Sequence, residues 1–194
     1  MKSTINICKI LFVSLFFVQL KAGILVEPRL ALNLSGSGSN NTTKFSYGGT
    51  QYGLRLGGDF LGFMGGFDVN ASSFTLKRTT TQVYSDDMSR TEYGVFVGYN
   101  FPILLRAWAA YYFDSTATDQ DSGGLTVSGY KYSGSSFEIG VGYTALPFIS
   151  INAIYKVNSI SKETSNVGVV TNYSGASAIA NNEILLGVSL PISL

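Results

Sequence analysis

Residues Glu92–Phe101 read EYGVFVGYNF, with Tyr93, Val95, Val97, Tyr99 and Phe101 alternating with Glu92, Gly94, Phe96, Gly98 and Asn100. Side chains at i, i+2 and i+4 share one face of an extended strand, so the stretch is predicted to be a β-strand with one bulky apolar face and one small or polar face. Seven further runs behave similarly. Ile24, Val26, Leu30, Leu32 and Leu34 stand against Glu27, Arg29, Ala31 and Asn33, and Tyr52, Leu54 and Leu56 against Gln51, Gly53, Arg55 and Gly57. Phe63, Gly65, Phe67, Val69 and Ala71 oppose Met64, Gly66, Asp68, Asn70 and Ser72. Phe137, Ile139, Val141 and Tyr143 oppose Ser136, Glu138, Gly140 and Gly142, while Ile149, Ile151, Ala153, Tyr155 and Val157 oppose Ser150, Asn152, Ile154, Lys156 and Asn158. The last run sets Ile184, Leu186, Val188, Leu190 and Ile192 against Glu183, Leu185, Gly187 and Ser189. Leu105–Phe113 (LRAWAAYYF) is apolar on both faces, and Arg106, Trp108, Ala110 and Tyr112 are assigned to its polar side.

Short apolar turns near Gly58–Leu61, Phe101–Leu104 and Ala145–Pro147 alternate with long polar stretches at Ser35–Ser46, Ser73–Ser89, Ser115–Ser135 and Ser159–Ala180, which join eight strands as hairpins. QYGLRLGG, EYGVFVGY, EIGVGYTA and EILLGVSL, starting at Gln51, Glu92, Glu138 and Glu183, form a weak repeat that marks the second strand of each hairpin.

Of the 194 residues only 13% are charged, where a soluble domain carries about 25%. A net charge of +1 excludes a strongly basic nucleic-acid binder. With no histidine, Ser-His-Asp and Cys-His catalysis and His-ligated metals are excluded. No enzyme activity and no cofactor are expected. Lys2, Lys9, the apolar run Ile10–Leu20 and Lys21-Ala22-Gly23 have the form of a secretory signal peptide, so residues 1–22 are predicted to be cleaved. Cys8, the only cysteine, precedes the apolar run, so the mature chain has neither a disulfide nor a lipid anchor. The mature residues 23–194 then hold 10 cations and 12 anions, with no apolar run of 18 residues. If that chain crosses a membrane, it must do so as a closed barrel, which alone satisfies strand backbones in lipid.

Alternation does not say which face is wet. A secreted lipocalin-like barrel would need charge on its outer face, yet the polar faces are mainly Gly, Ser and Asn with about one charge per strand. Small residues suit the crowded lumen of an eight-stranded barrel, and Phe63, Tyr99, Phe101, Tyr143, Phe148 and Tyr155 at strand ends fit interfacial aromatic girdles. The reading is an all-β, eight-stranded antiparallel up-and-down transmembrane β-barrel following the signal peptide. The hairpin repeat, the loop asymmetry and the final strand EILLGVSLPISL make the chain resemble the small eight-stranded outer-membrane barrels of Gram-negative bacteria, the OmpA/OmpX-type superfamily. Such barrels commonly end in Phe, and this chain ends in Leu194. The resemblance implies a bacterial outer-membrane location among lipid and lipopolysaccharide.

Residue counts from the short turns put Glu92, Glu138, Glu183, Asp68 and Lys156 high in the lumen and Arg29, Arg55 and Arg106 lower, which predicts an acidic layer over a basic one. With Glu27 these nine form the expected lumen charge network, in which Lys156 bridges Glu138 and Glu183 on the neighbouring strands. Such charges can fill and neutralise the interior or line an ion path. Asp86 with Asp87, and the DxD of Asp119 and Asp121, are read as solvated loop charge, with no metal site. TLKRTTTQVYS (Thr75–Ser85) and LTVSGYKYS (Leu125–Ser133) keep alternating and are expected to project as ribbons whose open edges could recruit a surface protein by β-augmentation. The expectation is a monomeric structural or surface-interaction protein with a plugged lumen. A narrow ion or solute channel and a secreted ligand-binding barrel are the alternatives.

Overall fold

A computed structural model describes residues 22–39, 44–79, 83–120, 129–146, 148–173 and 179–194. Residues 1–21 of the expected signal peptide lie outside that set. Ten strands run in the order β1 (Ala22–Ser39), β2 (Lys44–Phe60), β3 (Phe63–Thr79), β4 (Val83–Asn100), β5 (Leu105–Asp119), β6 (Lys131–Leu146), β7 (Ile149–Thr164), β8 (Val170–Asn172), β9 (Ile179–Ser189) and β10 (Ile192–Ser193), and no described residue is helical. Each of β1 to β7 pairs antiparallel with the next, and β9 pairs with both β7 and β1, which closes a ring of eight long strands. The two-residue β10 caps the start of β1, and β8 folds back on the end of β7.

The alternating pattern becomes an inside-out protein. Leu30, Leu54, Phe67, Val97, Val141, Ile151 and Val188 are exposed on the outer wall, whereas Glu27, Arg55, Asp68, Glu92, Glu138 and Lys156 are buried within the ring. A closed barrel leaves no unpaired strand edge, so an apolar exterior of this kind is stable only against lipid. The doubly apolar β5 turns Arg106, Trp108, Ala110 and Tyr112 inward. Beyond Tyr112 a bulge opposite Tyr93 and Gly94 leaves both Phe113 and Asp114 outside, so Ser115, Ala117 and Asp119 resume the inner face.

A barrel strand needs about 9–11 residues to span a bilayer, and β1 to β7 run to 15–18. Much of Ser35–Ser46 and Ser73–Ser89, expected to be loop, is therefore strand that rises beyond the membrane. Outside lipid both faces tolerate Ser and Thr, so the alternation fades although the pairing continues. Phe74–Thr79 of β3 is flanked on one side by β2 and on the other by β4. The Thr75–Ser85 stretch is thus no free two-stranded ribbon, because β2 covers one edge of it. Residues 125–128 of Leu125–Ser133 lie outside the described residues, and Lys131–Ser133 begin β6, where β5 covers one edge and β7 the other.

The short turns at the opposite end are tight. Leu61, Leu104 and Phe148 take positive φ of 52°, 62° and 73°. Gly62, at φ 84°, accepts the Asn100 amide at 2.7 Å.

Candidate functional site

Each strand brings inward-facing polar side chains into an interior too narrow to keep them apart. Five cations (Arg29, Arg55, Arg90, Arg106 and Lys156) and five anions (Glu27, Asp68, Glu92, Glu138 and Glu183) are buried in one network that sums to zero formal charge. Near the short-turn end Arg106 donates to Glu27 at 2.7 Å. The middle is denser. Arg29 donates to Asp68 and to Glu138 at 2.8 Å, and Arg55 reaches Asp68 at 2.9 Å and Glu138 at 3.1 Å. Trp108 Nε1 also donates to Glu138 at 3.1 Å, and the Tyr112 hydroxyl bonds both Asp68 and Glu138. The Arg55 guanidinium lies 5.0 Å over the Phe96 ring and 4.6 Å over the Trp108 ring, so its faces stack while its edges pair. On β6 the Trp108 ring occupies the space that a Cβ at Gly140 would need.

The upper tier has two centres. Lys156 pairs with Glu92, which also accepts the Ser115 and Ser136 hydroxyls, and the ammonium sits 4.6 Å over the Tyr112 ring. Arg90 clasps Glu183 with bonds of 2.6 and 3.1 Å, and Tyr47, Asn33 and Asn158 donate to the same carboxylate. A buried ion in such a setting is tolerable because opposite charges and hydroxyl donors offset its desolvation, although Arg90 Nε has no hydrogen-bond partner.

All nine charges expected in the lumen are buried there, but two features of their arrangement differ from expectation. Lys156 does lie between Glu138 and Glu183 in register. Its ammonium crosses to Glu92 instead, because Arg29 and Arg55 hold Glu138 and Arg90 holds Glu183. The charges also interleave and do not separate into an acidic layer over a basic one. Arg55 faces Asp68 directly across β2 and β3, and long guanidinium arms cover the height differences that residue counting implied. Arg90 was missed because it follows a stretch read as loop, although it shares the parity of Glu92 and Gly94.

At the short-turn end Phe63 packs on Tyr99 at 4.8 Å and Tyr99 on Phe101 at 5.0 Å between ring centroids, with Tyr143 and Phe148 exposed nearby. Tyr155 stands farther along β7, beside Ile139 and Ile184. Asp86 and Asp119, expected to be solvated, are buried at the inner face of the β4 and β5 extensions, and Asp87 accepts a bond from Thr75 at 2.8 Å. Asp121 lies outside the described residues. Above the membrane the Tyr173 phenol donates to Glu163 at 2.6 Å, and that bond pushes its pKa up to about 12. No group of three or more metal-ligating side chains occurs among the described residues.

A closed eight-stranded barrel with an apolar belt and a charged, side-chain-filled interior defines a small membrane-spanning β-barrel. Neither a protein-family profile nor a curated protein sequence matches the chain. Solved structures do share its fold. Neisserial surface protein A (NspA) is 18% identical, with a TM-score of 0.56 over 89% of this chain and 99% of that one. Ail, the attachment invasion locus protein of Yersinia pestis, crystallised with the heparin analogue sucrose octasulfate, is 11% identical, with a TM-score of 0.53 over 88% of this chain and 99% of that one.

Proposed function

We propose that the protein is a non-enzymatic structural and surface-interaction component of the outer membrane, with its lumen closed by the charged network and its extensions meeting partners outside the cell. The observation that carries this reading is the ten-residue network, in which five buried cations and five buried anions engage one another. An ion entering such a network must break charge-assisted pairs without a hydration shell to replace them. On this reading residues 1–22 are a signal peptide, residues 23–194 form a monomer in lipopolysaccharide-bearing lipid, and the clustered aromatics anchor it at the bilayer interface. Every cation from residue 23 onward outside the network, namely Lys44, Lys77, Arg78, Lys131 and Lys162, belongs to the strand extensions on the long-connection side. Asp86, Asp87, Asp114, Asp119 and Glu163 lie on the same side, so the extensions offer a partner both signs of charge.

Reconstitution of the purified barrel in planar bilayers tests closure. A membrane that stays electrically silent is expected, while an Arg29→Ala/Arg55→Ala variant, which empties the centre of the network, should flicker open. Steady conductance steps from the parent protein would overturn the plugged reading in favour of a narrow channel.

A further inference from the structure

The β7–β8 hairpin is a feature that the closed interior does not use. Lys162–Thr164 pairs with Val170–Asn172, and the turn between them carries Val167 and Val169. Val167 and Val169 are 79% and 62% exposed, and Val170 is 49% exposed, which makes the tip a cluster of bare β-branched side chains. Register fixes what accompanies it. Thr164 opposes both Lys131 and Val170, and Lys162 opposes Asn172, so Lys131, Lys162 and Val170 share one face of the extension. Glu163, opposite Tyr132 and Thr171, points to the other face, where Tyr173 binds its carboxylate.

An apolar tip ahead of a cationic stem matches the two requirements of interfacial membrane binding, which are apolar area for the acyl boundary and positive charge for anionic headgroups. The reach selects which membrane. Val167 lies ten residues beyond Val157, where the apolar belt of β7 ends. The seven strand residues beyond Val157, up to Thr164, at about 2.4 Å each along the axis, already rise roughly 17 Å before the turn, against a headgroup layer of about 6 Å on each side of the hydrocarbon. The tip therefore stands clear of the leaflet that holds the barrel.

We propose that the β7–β8 hairpin docks on an opposing lipid bilayer with anionic headgroups, with Val167, Val169 and Val170 entering its surface and Lys131 and Lys162 pairing with its phosphates. This rests on the surface-interaction reading and names its partner. The test embeds the barrel in zwitterionic nanodiscs and floats it with phosphatidylcholine vesicles or with vesicles containing phosphatidylglycerol. Retention by the anionic vesicles alone, weakening with salt, is expected. V167S/V169S/V170S should lower retention about tenfold or more, and K131Q/K162Q should abolish the preference for anionic lipid. A heat-modifiable gel shift checks that each variant is folded. Equal retention of parent and valine variant, or binding only when a protein is added to the vesicles, would overturn the proposal. So would loss of trans binding when phosphatidylglycerol is placed in the nanodisc itself, since that would assign the hairpin to its own leaflet. The conductance assay is independent of these outcomes, so failure of docking and failure of closure are separable.

Discussion

Glu138→Gln probes the centre of the interior with almost no change of shape. Oε1 of Glu138 accepts from Arg29, Arg55 and Trp108, while Oε2 faces the Tyr112 hydroxyl at 3.2 Å. A glutamine can keep its carbonyl at the crowded position and turn its amide toward Tyr112, whose hydroxyl can accept. What is lost is the charge. Two guanidinium bonds keep their ionised donors but lose the attraction of the opposite charge. The network is also left with five cations against four anions. Breaking a buried pair from one side costs about 3–5 kcal/mol, and because a neutral acceptor remains, the expected loss is about 3 kcal/mol, or two orders of magnitude in the folding equilibrium. Urea unfolding in lipid vesicles, followed by the fluorescence of Trp108, measures it. Adding Arg29→Gln removes the surplus cation and should recover about 1 kcal/mol or more relative to additivity. A Glu138→Gln variant within about 0.5 kcal/mol of the parent would refute the idea that the network stabilises the barrel.

Trp108 is the only tryptophan and is 5% exposed inside the barrel, so quenchers on lipid acyl chains should leave its emission unchanged; strong quenching would place the indole on the lipid face and invert the structure. Val141 lies on the outer wall within the apolar belt, and Val141→Arg should cost about 2–4 kcal/mol in the same unfolding assay, whereas a cost near zero would mean that position is wet. Arg90→Ala leaves Glu183 buried without its guanidinium and is expected to destabilise by about 3 kcal/mol, measured by urea midpoint, with Arg90→Ala/Glu183→Gln recovering part of the loss. Gly140→Leu should fail to give the folded, heat-modifiable band, because the Trp108 ring fills the space above that glycine, and Gly140→Leu/Trp108→Ala should restore it.

Period-two alternation is a local property of the backbone, so the strand count and the shared faces of the rows holding Glu27, Arg55, Asp68 and Glu138 were readable from spacing, and the scarcity of charge turned those rows inward. The same signal falters where both faces meet water. The upper parts of β1 to β4 consequently read as polar loops, and Arg90, one position beyond such a stretch, dropped out of the expected network. In β5 both faces are apolar, and its inward row of Arg106, Trp108, Ala110 and Tyr112 rested on the placement of a single arginine.

Sequence by itself determined which side chains share a face, that the chain has to close on itself, and that lipid meets the bulky rows, because charge is too scarce to clothe an outer wall in water. Only the tertiary structure decided who pairs with whom. Lys156 lies between Glu138 and Glu183 along the sheet yet reaches Glu92. In a ring of eight strands a long side chain reaches past its neighbours along the sheet, and Glu138 and Glu183 are already held by arginines. The shared face of Lys131, Lys162 and Val170 arises in the same way, since the consecutive strands β6, β7 and β8 acquire a common surface only once their register is set.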